Sequence, residues 1–165
     1  MSVKIIADST CDLSKDLLEK YDISVLPLHI VLGDKEYKDG LEISPDEIYE
    51  WSNTNKEAPK TSAAAISDTI DIYSKYLKSY DEIICFSISG QMSTTVNVMR
   101  MAAEELDAED TIHIIDSENL STGGGLLVIE AAIMAKEGKT HEEILQYFFE
   151  GAEIREVAEI LWDIS

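Results

Sequence analysis

A three-layer α/β/α domain with a mainly parallel sheet is the fold class that this sequence predicts. Two observations carry the prediction. Short apolar runs rich in β-branched residues alternate with segments of helical period. Three of those runs end directly in polar turns, Asp8-Ser9-Thr10, Ser87-Ile88-Ser89 and Asp116-Ser117. Parallel sheets with helices on both faces present such turns together at the carboxyl edge, where ligands bind.

Residues 3–7 are apolar apart from Lys4, mostly β-branched, and end at Asp8, which predicts a strand covered on both faces. Ser14 is the expected N-cap of a short helix reaching Tyr21, with Leu17 and Leu18 on its apolar side. Residues 23–28 predict a second strand. Residues 29–38 read as a hairpin with Gly33-Asp34 at its tip. Ser44-Pro45-Asp46-Glu47 marks a helix start: a capping serine, proline at the first helical position and Glu47 at the capping-box offset. That helix is expected to run to Asn53, followed by a polar loop to Pro59.

Residues 66–80 place Ile66, Ile70, Tyr73 and Leu77 on one helical face. Residues 82–87 form the clearest strand pattern. Residues 95–106 read as a helix with Val98, Met101, Ala102 and Leu106 inward, and residues 111–115 as another strand. Residues 121–136 are largely apolar and predict a buried helix stopped by Gly138. Thr140 and Glu143 have capping-box spacing and open one more helix. Residues 151–165 are acidic and helix-prone.

At 165 residues the chain is one domain by size, enough to bury about 70% of its unfolded surface. Its net charge is −20, from 33 acidic and 13 basic residues. Nucleic acid and anionic membranes are repelled by such a surface, so neither is an expected partner. Cys11 and Cys85 make no disulfide framework and suit a reducing, cytoplasmic setting. No apolar run approaches the ~18 residues of a membrane span. Asp8 interrupts the N-terminal run too early for a signal sequence.

Two hydroxyl-rich segments are the candidate site, Pro59-Lys60-Thr61-Ser62 and Ser87 to Thr95. A hydroxyl-rich turn opening a helix offers backbone N–H groups and the positive end of the helix dipole to a small anion. The same residues also serve as a plain helix cap. Acyl transfer at these serines requires an activating base. His29, His113 and His141 all sit in unpersuasive contexts, and no nucleophile-elbow motif is present.

Asp8 and Asp12 are four residues apart, whereas aspartyl-phosphate chemistry needs two carboxylates two residues apart; the other readings are a capped turn and a ligand-edge turn whose hydroxyls face the site. Gly123-Gly124-Gly125 lacks the lysine of a phosphate loop and reads better as a site of close helix packing. The acidic run at Glu104-Glu105, Asp107, Glu109 and Asp110 reads as a solvated helix end, and no residue set has metal-ligand spacing. No metal, cofactor or catalytic residue is therefore expected.

The motifs have a familiar order: residues 4–13, Val25-Leu26-Pro27-Leu28, Tyr37-Lys38-Asp39-Gly40, Ala58-Pro59-Lys60-Thr61-Ser62, Ser87 to Thr95, Ile115-Asp116-Ser117 and Gly125-Leu126-Leu127-Val128. In this order the chain resembles the DegV family, fatty-acid-binding proteins that serve as the lipid-presenting subunit of bacterial fatty acid kinase. The resemblance implies a two-domain protein that buries one long-chain acyl chain and holds its carboxylate at the mouth for a separate kinase subunit.

By position, Thr61 and Ser62 resemble the family's carboxylate-side turn, and Ser93, Thr94 and Thr95 its second hydroxyl loop. Ser9 and Thr10 fall in its first strand-end motif. Residues 1–150 are then the lipid-binding N-terminal domain, and residues 151–165 an acidic helical tail where the second domain would begin. The leading expectation is fatty-acid binding without catalysis. The alternative is a truncated scaffold that binds no lipid and acts by homo-oligomerisation or protein docking.

Overall fold

The computed structural model of the chain describes residues 2–149. The acidic tail expected at 151–165 lies outside them. Fourteen elements follow one another among the described residues, counting one 3-10 turn at Ser9–Cys11. Strands β1 (Val3–Asp8), β2 (Ile23–Leu26), β6 (Glu82–Ser87) and β7 (Ile112–Asp116) form a parallel sheet in the order β2-β1-β6-β7. Strands β3 (His29–Leu32), β4 (Lys35–Lys38) and β5 (Lys60–Ser62) form a separate antiparallel sheet, ordered β4-β3-β5.

Helices cover both faces of the parallel sheet, as its unbroken apolar strands require. Ile5, Ala7, Ile84 and Phe86 point to one side, against α5 (Thr122–Lys136) and α6 (His141–Phe149), with Leu17 and Leu18 of α1 (Lys15–Lys20) at the margin. Ile6, Ile83 and Cys85 point to the other, against Tyr73 of α3 (Ile66–Tyr76) and Met99 of α4 (Thr95–Glu105). This is the expected three-layer architecture. Helix α2 (Pro45–Asn55) packs Ile48 and Trp51 on the small sheet, beside Ile30, Leu32 and Ile43. Among the described residues no helix is long and apolar enough to cross a membrane.

The local signals act as read. Ser44 and Glu47 cap α2 reciprocally, with Ser44 N–H donating to Glu47 Oε2 at 2.8 Å and Glu47 N–H to Ser44 Oγ at 3.4 Å. Thr140 and Glu143 do the same at α6, at 2.8 and 3.2 Å. Ser14 Oγ accepts from Leu17 N–H at the start of α1.

Three expectations need correction. Thr61 and Ser62 lie on a short edge strand, not a turn; Thr61 pairs with Ile30 and Ser62 with His29. A strand of three residues carries no readable period. The run at 23–28 stops at Leu26, because the chain leaves the parallel sheet at Pro27, and its next strand belongs to the small sheet. The inward face of α4 is rotated: Thr95, Val96, Met99, Ala102 and Ala103 are buried, while Met101 is 54% exposed. Small residues at 102 and 103 let the helix approach the sheet closely, which turns the bulkier Met101 outward.

Helix α5 is apolar around most of its circumference, yet it carries Glu130. That residue is 6% exposed and its Oε2 has no hydrogen-bond partner among the described residues. Burial, then the Glu137 charge, pushes its carboxyl above the ordinary value of 4.5. A folded-state pKa above the unfolded one means that folding binds the proton more tightly. This group's stabilising contribution is therefore full below the ordinary value and is lost as pH rises through the folded pKa. Glu130→Gln is expected to raise stability at neutral pH by about 1 kcal/mol and to flatten this part of the pH dependence. Urea denaturation of both proteins at mildly acidic and neutral pH checks it; equal curves at neutral pH would show that the carboxylate is already solvated.

Candidate functional site: a hydroxyl-lined groove

Strand order reverses between β1 and β6: the chain goes from β1 to one neighbour, then crosses to the other side for β6. Such a switch point leaves a crevice beyond the carboxyl ends of the two strands. The turns there are tied together by two carboxylates, the buried Asp8 and the half-buried Asp116. Ile88 N–H donates to Asp8 Oδ2 at 2.6 Å, joining the end of β6 to the end of β1. Asp8 Oδ1 also accepts from the backbone N–H and hydroxyl of Thr10, capping the 3-10 turn. Asp8 is therefore a cap and tie, as in the capped-turn reading of the Asp8–Asp12 segment. Burial outweighs these bonds and pushes its carboxyl up.

Gly90 N–H donates to Asp116 Oδ2 at 3.0 Å, and Ser89 N–H to Asn119 O at 3.0 Å, joining the β6 turn to the β7 turn. A Cβ at Gly90 would lie 2.6 Å from Asp116 Oδ2, so this contact requires glycine. The three polar strand ends thus converge on one edge, as their positions predict.

An open groove of about 580 Å³ lies along this edge, between it and β5. Thr10, Thr61, Ser62, Ser93 and Thr94 line it. Thr10 and Ser93, more than eighty residues apart, meet through the pairing of β1 with β6, and Thr61 and Ser62 join them because β5 pairs with β3, which begins three positions after β2 ends. Leu28, Ile88, Met92 and Leu120 supply apolar wall, and Met92 and Leu120 are 61% and 49% exposed at the rim. No lysine, arginine or histidine is among the lining residues.

Ser9 and Thr95 stand behind this wall. Ser9 Oγ accepts from Leu28 N–H at 3.1 Å, fixing a lining residue. Thr95 is fully buried, and its Oγ1 lies 2.9 Å from Ser93 Oγ. Ser93 Oγ also accepts from Thr95 N–H at 3.2 Å. When Thr95 Oγ1 is the donor, both lone pairs of Ser93 are engaged and its own proton is left for the groove. Ser93 is then a preset donor. Thr94, the residue before α4, makes no side-chain cap bond to the helix. Donors without a fixed cation suit a small anionic or strongly polar head group, and the apolar wall suits an attached hydrocarbon.

Cys11 sits beside the groove in a small void lined by Phe86, Ile88 and Val128, and burial pushes its thiol up to about 11. It is a packing residue rather than a thiolate nucleophile. Gly124 and Gly125 are both buried, and Gly125, where α5 meets the turn after β1, is the glycine that serves close packing.

A family model described as uncharacterised protein, DegV family, matches residues 2–157. The chain belongs to the DegV family. A DegV domain-containing protein of Clostridium perfringens is 40% identical over 149 residues, covering 88% of this chain and 53% of that protein. The solved structure of a fatty-acid-binding DegV family protein from Thermus thermophilus matches with a TM-score of 0.83 at 30% identity, covering 91% of this chain and 53% of that one. A stearic acid-binding protein from Eubacterium ventriosum matches with a TM-score of 0.79 at 31% identity, over 87% and 51%. This DegV chain thus spans about half the length of the relatives it matches.

Proposed function

We propose that residues 1–150 are a lipid-binding domain whose groove holds the carboxylate of one long-chain fatty acid in the cytoplasm. The observation that carries this reading is the meeting of Thr61, Ser62, Ser93 and Thr94 on one open groove with apolar walls and no cation. A carboxylate is the anion that neutral hydroxyl and N–H donors satisfy best on a surface of charge −20. A volume of about 580 Å³ falls within the range of about 300–1,000 Å³ of small-molecule sites. Thr10 lines the groove with these four, while Ser9 and Thr95 act by positioning. An open groove leaves the head group within reach of a separate fatty acid kinase subunit, and among the described residues no histidine or lysine lines the groove beside Ser93.

Delipidated protein titrated with oleate, read by native mass spectrometry and calorimetry, tests the reading. One acid per chain is expected. Ser93→Ala and Thr61→Val should each weaken binding by about tenfold, the loss of one charge-assisted hydrogen bond. Protein that stays empty at saturating oleate overturns lipid binding by this chain.

A second reading has its own observation. Leu41, Met92 and Leu120 are exposed at 72%, 61% and 49%, an arrangement that favours self-association or docking. It predicts concentration-dependent oligomers, by light scattering, that Met92→Lys disperses.

A further inference from the structure

We propose that Glu82, His113 and His141 form a binding site for one divalent transition-metal ion of the zinc class, independent of the groove. Glu82 is the first residue of β6 and His113 the second of β7, so both stand at the amino ends of the parallel strands, the edge opposite the groove. His141 is the first residue of α6, and the reciprocal Thr140–Glu143 cap holds that helix start in place above them.

One ligand atom from each residue lies within 4.8 Å of the other two. His113 Nε2 is 2.9 Å from Glu82 Oε2, and His141 Nδ1 is 3.7 Å from Glu82 Oε1. Tetrahedral zinc, with bonds of about 2.0–2.1 Å, sets its ligand atoms roughly 3.4 Å apart. Side-chain rotations of about 1 Å close the set around an ion.

Two features, an unpartnered His141 nitrogen and an acidic setting, favour a metal over a simple ion pair. The imidazoles stack face to face, 4.6 Å between centroids and 5° between planes. Lone pairs lie in the ring planes, so one ring must turn out of this stack for both nitrogens to reach a shared ion. His141 Nδ1 is buried with no hydrogen-bond partner among the described residues, a cost that coordination removes. The surroundings are acidic on balance: Glu142 and Glu143 occupy the first turn of α6, and Glu104 and Glu109 line the cavity beside His113 together with one cation, Arg100. Two nitrogens and one carboxylate oxygen match zinc, cobalt and nickel rather than calcium or magnesium. Three protein ligands leave a coordination position for water.

The test uses the full chain without a polyhistidine tag, in chelator-stripped buffer. Zinc chloride titrated against a chromogenic chelator should report one ion per chain and raise the thermal midpoint. Cobalt(II) should add visible ligand-field absorption. His113→Ala and His141→Ala should each weaken binding by at least about tenfold and abolish the cobalt bands; His29→Ala, on the small sheet, should change neither. Glu82→Gln preserves shape and hydrogen bonding while removing the anionic donor, so it tests the site if a histidine variant folds poorly. Absence of saturable one-to-one binding, or binding that survives these substitutions, overturns the proposal. Its failure leaves the groove unaffected.

Discussion

Asp8→Ala is expected to lower folding stability by about 3 kcal/mol and to loosen the groove with it. Asp8 is 2% exposed and is the acceptor for three donors on two segments, at Thr10 and Ile88. Alanine leaves the Ile88 N–H without its partner in an interior where Ile88 itself is 8% exposed. An orphaned buried donor costs about 1–3 kcal/mol, and the lost cap on the 3-10 turn adds about 1. Thr10 and Ile88 both line the groove, so the substitution also frees two of its walls. Asp8→Asn keeps one acceptor oxygen and should fall between. Chemical denaturation of the three proteins measures this. A loss under about 1 kcal/mol for alanine would mean that water replaces the carboxylate and that the tie between β1 and β6 is not structural.

Gly125→Ala is expected to destabilise by about 2–3 kcal/mol, although alanine is ordinarily better than glycine inside a helix by about 1 kcal/mol. An added Cβ would lie 2.4 Å from the Cys11 carbonyl oxygen and 3.0 Å from Leu13 Cδ2. The first is backbone in the tightly capped turn after β1, so α5 itself must move back. Leu127, Val128 and Ala131 of that helix are buried against β1 and β6, and the movement opens this core. Gly124→Ala is the internal control. Its Cβ would meet only Ser117 Oγ, at 3.7 Å, an ordinary contact. It should be neutral or stabilising by up to about 1 kcal/mol. Thermal midpoints of the pair decide the matter; equal shifts would show that α5 accommodates the added methyl without displacement.

The groove was half legible. Hydroxyls after β1 and β6 are marked by short-range signals, an apolar run followed by a polar turn, and the strand ends did converge. Ser9 and Thr95 carry the same signal as Thr10 and Ser93, yet they stand behind the wall. Which of two adjacent hydroxyls faces the groove depends on the turn's backbone path, which neighbouring side chains set. The Glu82–His113–His141 cluster had no signal at all. Its members are separated by 31 and 28 residues on three elements, and none belongs to a spaced ligand motif.

By itself the sequence determined the alternation of strands and helices, the capping boxes at Ser44 and Thr140, the layered parallel sheet and the family. These follow from interactions within a few residues, and from burial on both faces of a strand, which composition alone reveals. Only the tertiary structure decided that Thr61 and Ser62 lie on an edge strand facing Ser93, that Met99 rather than Met101 points inward, and that two distant histidines stack over Glu82. Those outcomes depend on pairing and close packing between segments far apart in the chain, where the energy belongs to the contact and not to either segment.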